Sequence, residues 1–467
     1  MDDVELITAP RNVVYLPRQD RAEQRANPVP LELSPPTATQ VLYNSLQIVS
    51  DATGGAALLL LRIGEFEEFV ESFGYACGEA LDREIKEHLR GCLRSSDWIQ
   101  PVGKGEYAIV IPQPADQSEL EVVCERLVAA AGGSYEFGEV APRVSAAIGV
   151  ALYPTDSSRP EDVLRFANVA LRNAVSEKSA GGAQNHCFFS QELLKRQRYK
   201  LWMEGELKRA LAEDRFVLHY QPQYSLDGRE IVGVEALVRM VTPTGSLVPP
   251  NDFIGVAEES GDIVQLGYWV IREACRQFAE WRELTGDSLK RVAVNVSPRQ
   301  LQDAELPEVI RRALESAQIP ASAVELEITE GCMLELLPVT GEVLRQLREL
   351  GVRIAIDDFG AGYSSFANLA RLPLDTFKLD RSFLTNIAHD SRARQVVNAM
   401  IAMARELGYE IVAEGVETDQ QYWFLQASGC HLVQGFGLGR PQHADVVCRL
   451  LKEAEERAAG HLTARCR

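Results

Sequence analysis

Apolar and polar positions follow two different patterns along this chain, and the change between them comes near residue 190. From about 38 to 190 the pattern is mixed. An apolar run at Ala57 to Ile63 predicts a strand, and Leu81, Ile85, Leu89 and Leu93 then fall on one helical face. Trp98 to Pro101 and Tyr107 to Ile111 predict a hairpin around Gly103-Lys104-Gly105-Glu106. Val144 to Tyr153 predicts a further strand and Pro160 to Ala174 a helix, completing an α/β domain over 36–190. A charged helical connector is predicted over 191–213. Beyond it, strand-like runs recur at Phe216–Tyr220, Ile231–Leu237, Val292–Val296, Val324–Ile328, Val352–Ile356, Thr376–Leu379, Glu410–Ala413 and Leu432–Phe436. Helical stripes lie between several of them, such as Val343, Leu347 and Leu350, or Val396, Met400, Met403 and Leu407. Each of these two closes at a glycine, Gly351 or Gly408, where a helix stops. The stripes read as core packing, and eight strand runs fit a β/α barrel over 214–455.

Length and charge narrow the picture. A chain of 467 residues is too long for one core, and two domains of ordinary size are expected. Residues 1–35 mix charges with prolines and predict a tail or linker, and 456–467 predict a C-terminal tail. The net charge of −19 argues against a general binder of nucleic-acid polymers, which needs a basic face to displace counterions. Nine cysteines without a Cys-x-x-Cys pair indicate neither a disulfide framework nor a zinc site, and a reducing compartment is expected. The run Ala56 to Leu61 is far short of the roughly 20 residues a membrane helix needs. With no signal peptide in Met1-Asp2-Asp3-Val4-Glu5, a cytoplasmic protein without a membrane span is expected.

The candidate chemistry lies where the strand runs end. Val352 to Ile356 climbs into Asp357-Asp358, followed by a loop with Gly360 and Gly362. In a β/α barrel the chemistry sits at the carboxyl ends of the strands. In order, those ends carry Gln221, Glu235, Asn295, Glu327, the Asp357-Asp358 pair, Lys378, Glu414 and Gln434. So many carboxylates at one small mouth repel one another and raise each other's pKa unless something offsets their charge. Oxygen donors without His or Cys suit Mg²⁺ or Mn²⁺, and a carboxylate able to bridge two ions suits phosphodiester hydrolysis.

These motifs carry a resemblance. Tyr220-Gln221-Pro222, Glu235-Ala236-Leu237-Val238-Arg239, Asn295-Val296-Ser297, Glu327-Ile328-Thr329-Glu330, Asp357-Asp358-Phe359-Gly360, Lys378-Leu379-Asp380 and Glu414-Gly415-Val416-Glu417 appear in this order. Over about 200 to 455 the sequence resembles an EAL-domain cyclic diguanylate (cyclic di-GMP) phosphodiesterase. The resemblance implies a TIM-like (β/α)8 barrel whose first strand runs antiparallel to the rest. It also implies opening of cyclic di-GMP to the linear dinucleotide with two Mg²⁺ or Mn²⁺ ions. By the same resemblance, Glu235, Asn295, Glu327, Asp357, Asp358 and Glu414 hold metal, with Asp357 shared between the two ions. Lys378 and Glu414 position and deprotonate the attacking water, and Glu235 belongs to the catalytic set. Gln221, Arg239, Asp380 and Gln434 meet the substrate, while Glu330 and Glu417 brace the loop after Asp358. Met240 and Asp262 stand where the family commonly has Trp and Leu, and neither touches the metal set.

The front domain resembles a GGDEF diguanylate cyclase domain with its chemistry removed. Gly103-Lys104-Gly105-Glu106-Tyr107 stands at the signature, Arg62-Ile63-Gly64 at the metal strand and Val70-Glu71 at the substrate-reading pair. The resemblance implies a catalytically inactive regulatory domain, with GTP or cyclic di-GMP as its ligand, and a homodimer. Arg94 and Asp97 match the spacing of the family's inhibitory site for cyclic di-GMP, and their bland reading is a helix-end ion pair. The alternative to an enzyme is a non-catalytic cyclic di-GMP receptor, but the full set of metal ligands favours hydrolysis. A pair of dimerisation modules would leave the acid cluster unexplained.

Overall fold

A computed structural model describes residues 42–43, 46, 54–135, 143–179, 184–227, 230–286, 288–329, 338–359 and 374–465. The chain divides into two compact units, Met1–Lys195 and Arg196–Arg467.

The front unit is built on a mixed sheet of β1 (Ala56–Gly64), β2 (Trp98–Gly103), β3 (Glu106–Pro112), β4 (Gly133–Ser134), β5 (Arg143–Tyr153) and β6 (His186–Phe188). The order is β2-β3-β1-β5-β4, with β6 beside β5. Strand β1 explains the layering, because successive side chains point to opposite faces. Ala57, Leu59, Leu61 and Ile63 join Leu81, Ile85 and Leu89 of helix Tyr75–Cys92 in one core. Leu58 and Leu60 join Val163, Phe166 and Ala170 of helix Pro160–Ser179 in the other. Leu93 was expected on the face of helix Tyr75–Cys92. It stands just past the helix with extended backbone, because the turn closes at Arg90 first. The β2–β3 hairpin forms as expected but is longer, reaching Gly103 and starting again at Glu106. Gly105 sits at φ 66°, and a Cβ there would lie 2.8 Å from the Phe66 ring, so the turn requires glycine.

The second unit is a closed barrel. Its eight strands are β7 (Phe216–Ser225), β8 (Ile231–Val241), β10 (Arg291–Asn295), β11 (Val324–Thr329), β12 (Arg353–Phe359), β13 (Thr376–Leu379), β14 (Glu410–Ala413) and β15 (Leu432–Val433). Two short strands, β9 (Leu247–Val248) and β16 (Gln442–His443), add to β8 and β7. Strand β7 pairs antiparallel with both β8 and β15 and so closes the ring, while β8 and β10–β15 pair parallel in sequence order. Helices such as Ile263–Thr285, which buries Leu266, Ile271, Phe278 and Trp281, cover the outside. Gly351 and Gly408 end their helices at φ 88° and 79°, as the stripes predicted.

The strand bounds differ from expectation in β7, β8 and β12. The run expected at Phe216–Tyr220 extends further, since the ladder passes through Pro222, opposite Val234, leaving Gln221 in mid-strand. Strand β8 continues to Val241, so Glu235 and Arg239 both lie inside it. Strand β12 includes Asp357 and Asp358, with its register against β13 shifting between Ile356 and Phe359.

Candidate active site

The barrel brings the separate sequence motifs into one layer. Gln221 stands opposite Glu235, Asn295 opposite Glu327, and Thr329 opposite Asp357, each across a single strand pair. Lys378, only 1% exposed, reaches into the middle. Its Nζ lies 2.7 Å from Glu327 Oε2, 2.7 Å from Glu414 Oε1 and 3.2 Å from Asp357 Oδ1. Asn295 Nδ2 donates to Glu235 Oε1 at 2.8 Å, and Gln434 Nε2 donates to the other Glu235 oxygen and to Gln221 Oε1. Gln221 in turn donates to the Gly439 carbonyl at 2.9 Å. A cavity of about 670 Å³ opens from Glu235, Asn295, Glu327 and Asp357 towards Asn251, Glu258 and Ile254.

Four carboxylates face one ammonium, and their protonation shows the imbalance. Burial pushes Glu327 well above the usual carboxylate range, reinforced by Glu235, Asp357 and Glu414 against the pull of Lys378. Burial with Asp357 and Glu235 also drives Glu414 up to about 7, although Lys378 opposes it. Glu235 goes the other way: burial would raise it, but Lys378 and the amides of Gln434 and Asn295 hold it below its ordinary value. Lys378 keeps its charge because Glu235, Glu327, Glu414 and Asp357 outweigh the cost of its burial. Glu327 Oε1 is buried and accepts no hydrogen bond.

This chemistry fits a hard divalent cation: oxygen donors, surplus negative charge and an orphaned buried carboxylate oxygen. Among the described residues no three His, Cys, Asp or Glu side chains are already spaced as ligands, since the carboxylates close on Lys378 instead.

Other expected residues lie further out. Arg239 shares the Glu235 face of β8, half-buried, and donates to the Val238 carbonyl at 2.8 Å. Asp380 caps the turn Arg381–Phe383 by accepting from Ser382 N at 2.9 Å, outside the cluster. Glu417 is exposed, and its backbone N–H donates to Gln421. Glu330, the loop 360–373 and the side chain of Asp358 lie outside the described residues. In the front unit, the Arg94 side chain pairs with Glu119 at 2.9 Å, and Asp97 accepts from the Arg94 backbone N–H at 2.8 Å. Arg62 pairs with Glu106 at 2.7 Å across β1 and β3, and Lys104 lies over the Tyr75 ring.

Sequence reasoning missed two features. Gln223, two residues past Gln221 on the same face, donates to Gln434 Oε1 at 3.1 Å, and period-2 alternation could have found it. At the opposite end of the barrel, Arg291, Glu325, Arg353, Thr376 and Glu410 interlock through their side chains. Each lies at or beside the start of its strand, a position that carries no motif.

The diguanylate cyclase GGDEF domain model matches residues 37–181 and the EAL domain model matches 204–441. The cyclic di-GMP phosphodiesterase NbdA of Pseudomonas aeruginosa is 40% identical over 387 residues, 83% of this chain and 49% of its own length. The cyclic di-GMP phosphodiesterase PdeR of Escherichia coli is 34% identical over 401 residues, 86% of this chain and 60% of its own length. The chain spans about half the length of the curated relatives it matches. Among solved structures, the PaMucR phosphodiesterase in complex with cyclic di-GMP is 41% identical at a TM-score of 0.50, over 53% of this chain and 99% of that one. The EAL enzyme Bd1971, bound to cAMP and cyclic di-GMP, is 26% identical at a TM-score of 0.53, over 67% of this chain and 83% of that one. One match covers just over half of the chain and the other lies wholly ahead of it: the chain belongs to the EAL domain family and carries a GGDEF domain in front.

Proposed function

We propose that the barrel hydrolyses cyclic di-GMP to the linear dinucleotide with two divalent cations, Mg²⁺ or Mn²⁺. The observation that carries this reading is the group of four carboxylates around Lys378, whose charge one ammonium does not offset. Glu235, Asn295, Glu327, Asp357, Asp358 and Glu414 would hold the ions, with Asp357 between the two. Bound there, the cations acidify a water and offset the charge of the phosphodiester. Lys378 would hold the attacking water by donating to it, and Glu414 would accept its proton. Arg239 forks the scissile phosphate with paired donors. Gln221, fixed by Gln434 and Gly439, contacts the nucleotide, and Gln434 orients Glu235. Glu330 and Glu417 brace the loop after Asp358.

The front domain makes no cyclic di-GMP in this reading. Arg62 and Glu106 neutralise each other where metal-binding acids would be needed, and Gly105 offers no ligand. Its role is to bias the barrel, with GTP or cyclic di-GMP as ligand, and a homodimer is part of the same proposal.

The test is purified full chain with cyclic di-GMP and Mg²⁺ or Mn²⁺, scored for the linear product. Turnover should vanish in Glu235→Ala, in Asp357→Asn and with a chelator, and Glu417→Ala should lower it together with metal affinity. Tight binding of cyclic di-GMP without product would make the chain a receptor. Cyclase activity from GTP would overturn the reading of the front domain.

A further inference from the structure

Three glutamine amides form a chain inside the barrel, and acceptors at two points set its polarity. The Glu235 carboxylate and the Gly439 carbonyl only accept hydrogen bonds, so the amides beside them must turn their nitrogens that way. Gln434 Nε2 donates to Glu235 Oε2, and Gln221 Nε2 donates to the Gly439 carbonyl. Gln434 Nε2 also reaches Gln221 Oε1 at 3.0 Å, so the two amides agree in direction. With that nitrogen used twice, Gln434 has its oxygen left to satisfy, and Gln223 Nε2 donates to it at 3.1 Å.

Gln223 is fully buried, and its register partner across β7 and β8 is Gly233. A Cβ at Gly233 would stand 2.6 Å from Gln223 Oε1 and 3.5 Å from Arg291 Nε. The missing side chain makes room for the Gln223 amide, whose oxygen lies towards a donor while its nitrogen faces Gln434. An apolar side chain would fill this space without the cost of burying an amide. What the amide adds is a donor aimed at Gln434.

We propose that Gln223 is a positioning residue for Glu235, acting through Gln434. By donating to Gln434 Oε1 it keeps the Gln434 nitrogen on the carboxylate, which Asn295 holds at the other oxygen at 2.8 Å. A turned amide fills the same volume, so packing alone does not choose its direction. Without Gln223, Gln434 Oε1 is buried and unpaired, and the amide relieves this by turning away from Glu235. The inference rests on the reading of Glu235 as a metal ligand.

Mn²⁺ binding to the full chain without substrate, read by electron paramagnetic resonance of the free ion, reports on the carboxylate apart from turnover. The sites lost in Glu235→Ala are those of the cluster. At these sites Gln223→Met, which keeps the volume and removes the amide, should weaken binding about tenfold, and Gln434→Met roughly 10–100-fold. Gln223→Met added to Gln434→Met should weaken it little further, because the link is already cut. Gly233→Ala, whose methyl displaces the Gln223 amide, should act like Gln223→Met, and a urea midpoint in chelator shows that each variant is folded. Wild-type affinity in folded Gln223→Met, or losses that simply add in the double variant, would overturn the proposal. If Glu235→Ala loses no site, the ligand reading itself fails and this inference falls with it.

Discussion

The two ends of this barrel both bury charge, and they balance it differently. At the carboxyl ends of the parallel strands, Glu235, Glu327, Asp357 and Glu414 crowd one ammonium, that of Lys378. At the amino ends, Glu325 and Glu410 meet Arg291 and Arg353, two against two. Thr376 closes the second group by donating to Glu325 at 2.5 Å and accepting from Arg353 at 3.0 Å. Burial acts on both groups, but the pKa shifts diverge. Glu410 is held below its ordinary value because the Arg291 and Arg353 charges overcome its burial, whereas Glu327 and Glu414 are raised because Lys378 alone cannot overcome theirs. The amino-end cluster matches its charges, although Arg291 Nε and Glu325 Oε1 are buried without a hydrogen-bond partner among the described residues, while the carboxyl-end cluster has more carboxylates than its one ammonium offsets.

Substitutions that remove one charge from each end give the sharpest contrast. Lys378→Met should abolish turnover of cyclic di-GMP and, without metal, cost about 3–5 kcal/mol of stability by leaving buried carboxylates unpaired. Mn²⁺ should recover part of that loss, measured as the urea midpoint with and without the ion. Glu325→Gln should also cost about 3–5 kcal/mol, since Arg291 and Arg353 lose a buried partner. Here Mn²⁺ should restore nothing, and the folded fraction should turn over substrate normally. Equal rescue of the two variants by Mn²⁺ would break the contrast between the ends.

Acidity gives opposite slopes. Folded and metal-free, Glu414 keeps its proton up to about pH 7, against an ordinary value of 4.5. Between those values the folded chain binds more protons than the unfolded one, so stability falls as pH rises. Glu410 has a lowered pKa, so its contribution is complete above its ordinary value and is lost as pH falls through the folded one. Urea midpoints in chelator across this range should fall towards neutral pH, and Glu414→Gln should flatten that fall. An unchanged slope in the variant would remove Glu414 as its source. The smallest expected effect is that of Arg239→Ala, which should raise KM about tenfold, equivalent to about 1.4 kcal/mol. It should leave metal affinity unaltered, because Arg239, proposed to meet the phosphate, lies outside the cluster.

The sequence alone determined the barrel, the set of acids at its mouth and the order in which they come. Periodicity is local: a strand announces itself by apolar alternation and a helix by a stripe that stops at Gly351 or Gly408, whatever surrounds them. The motifs around Glu235, Asn295, Glu327 and Asp357 are likewise short enough to read in a line. Tertiary structure decided what those acids face. That Lys378 lies among Glu327, Asp357 and Glu414 depends on which face of β13 points inward, and Asp380 caps a turn because the strand stops at Leu379. The Arg291–Glu410 group was not legible, because it joins residues from strands far apart in sequence. Strand pairing creates these contacts through register, and a chain read in one dimension holds each partner without its mate.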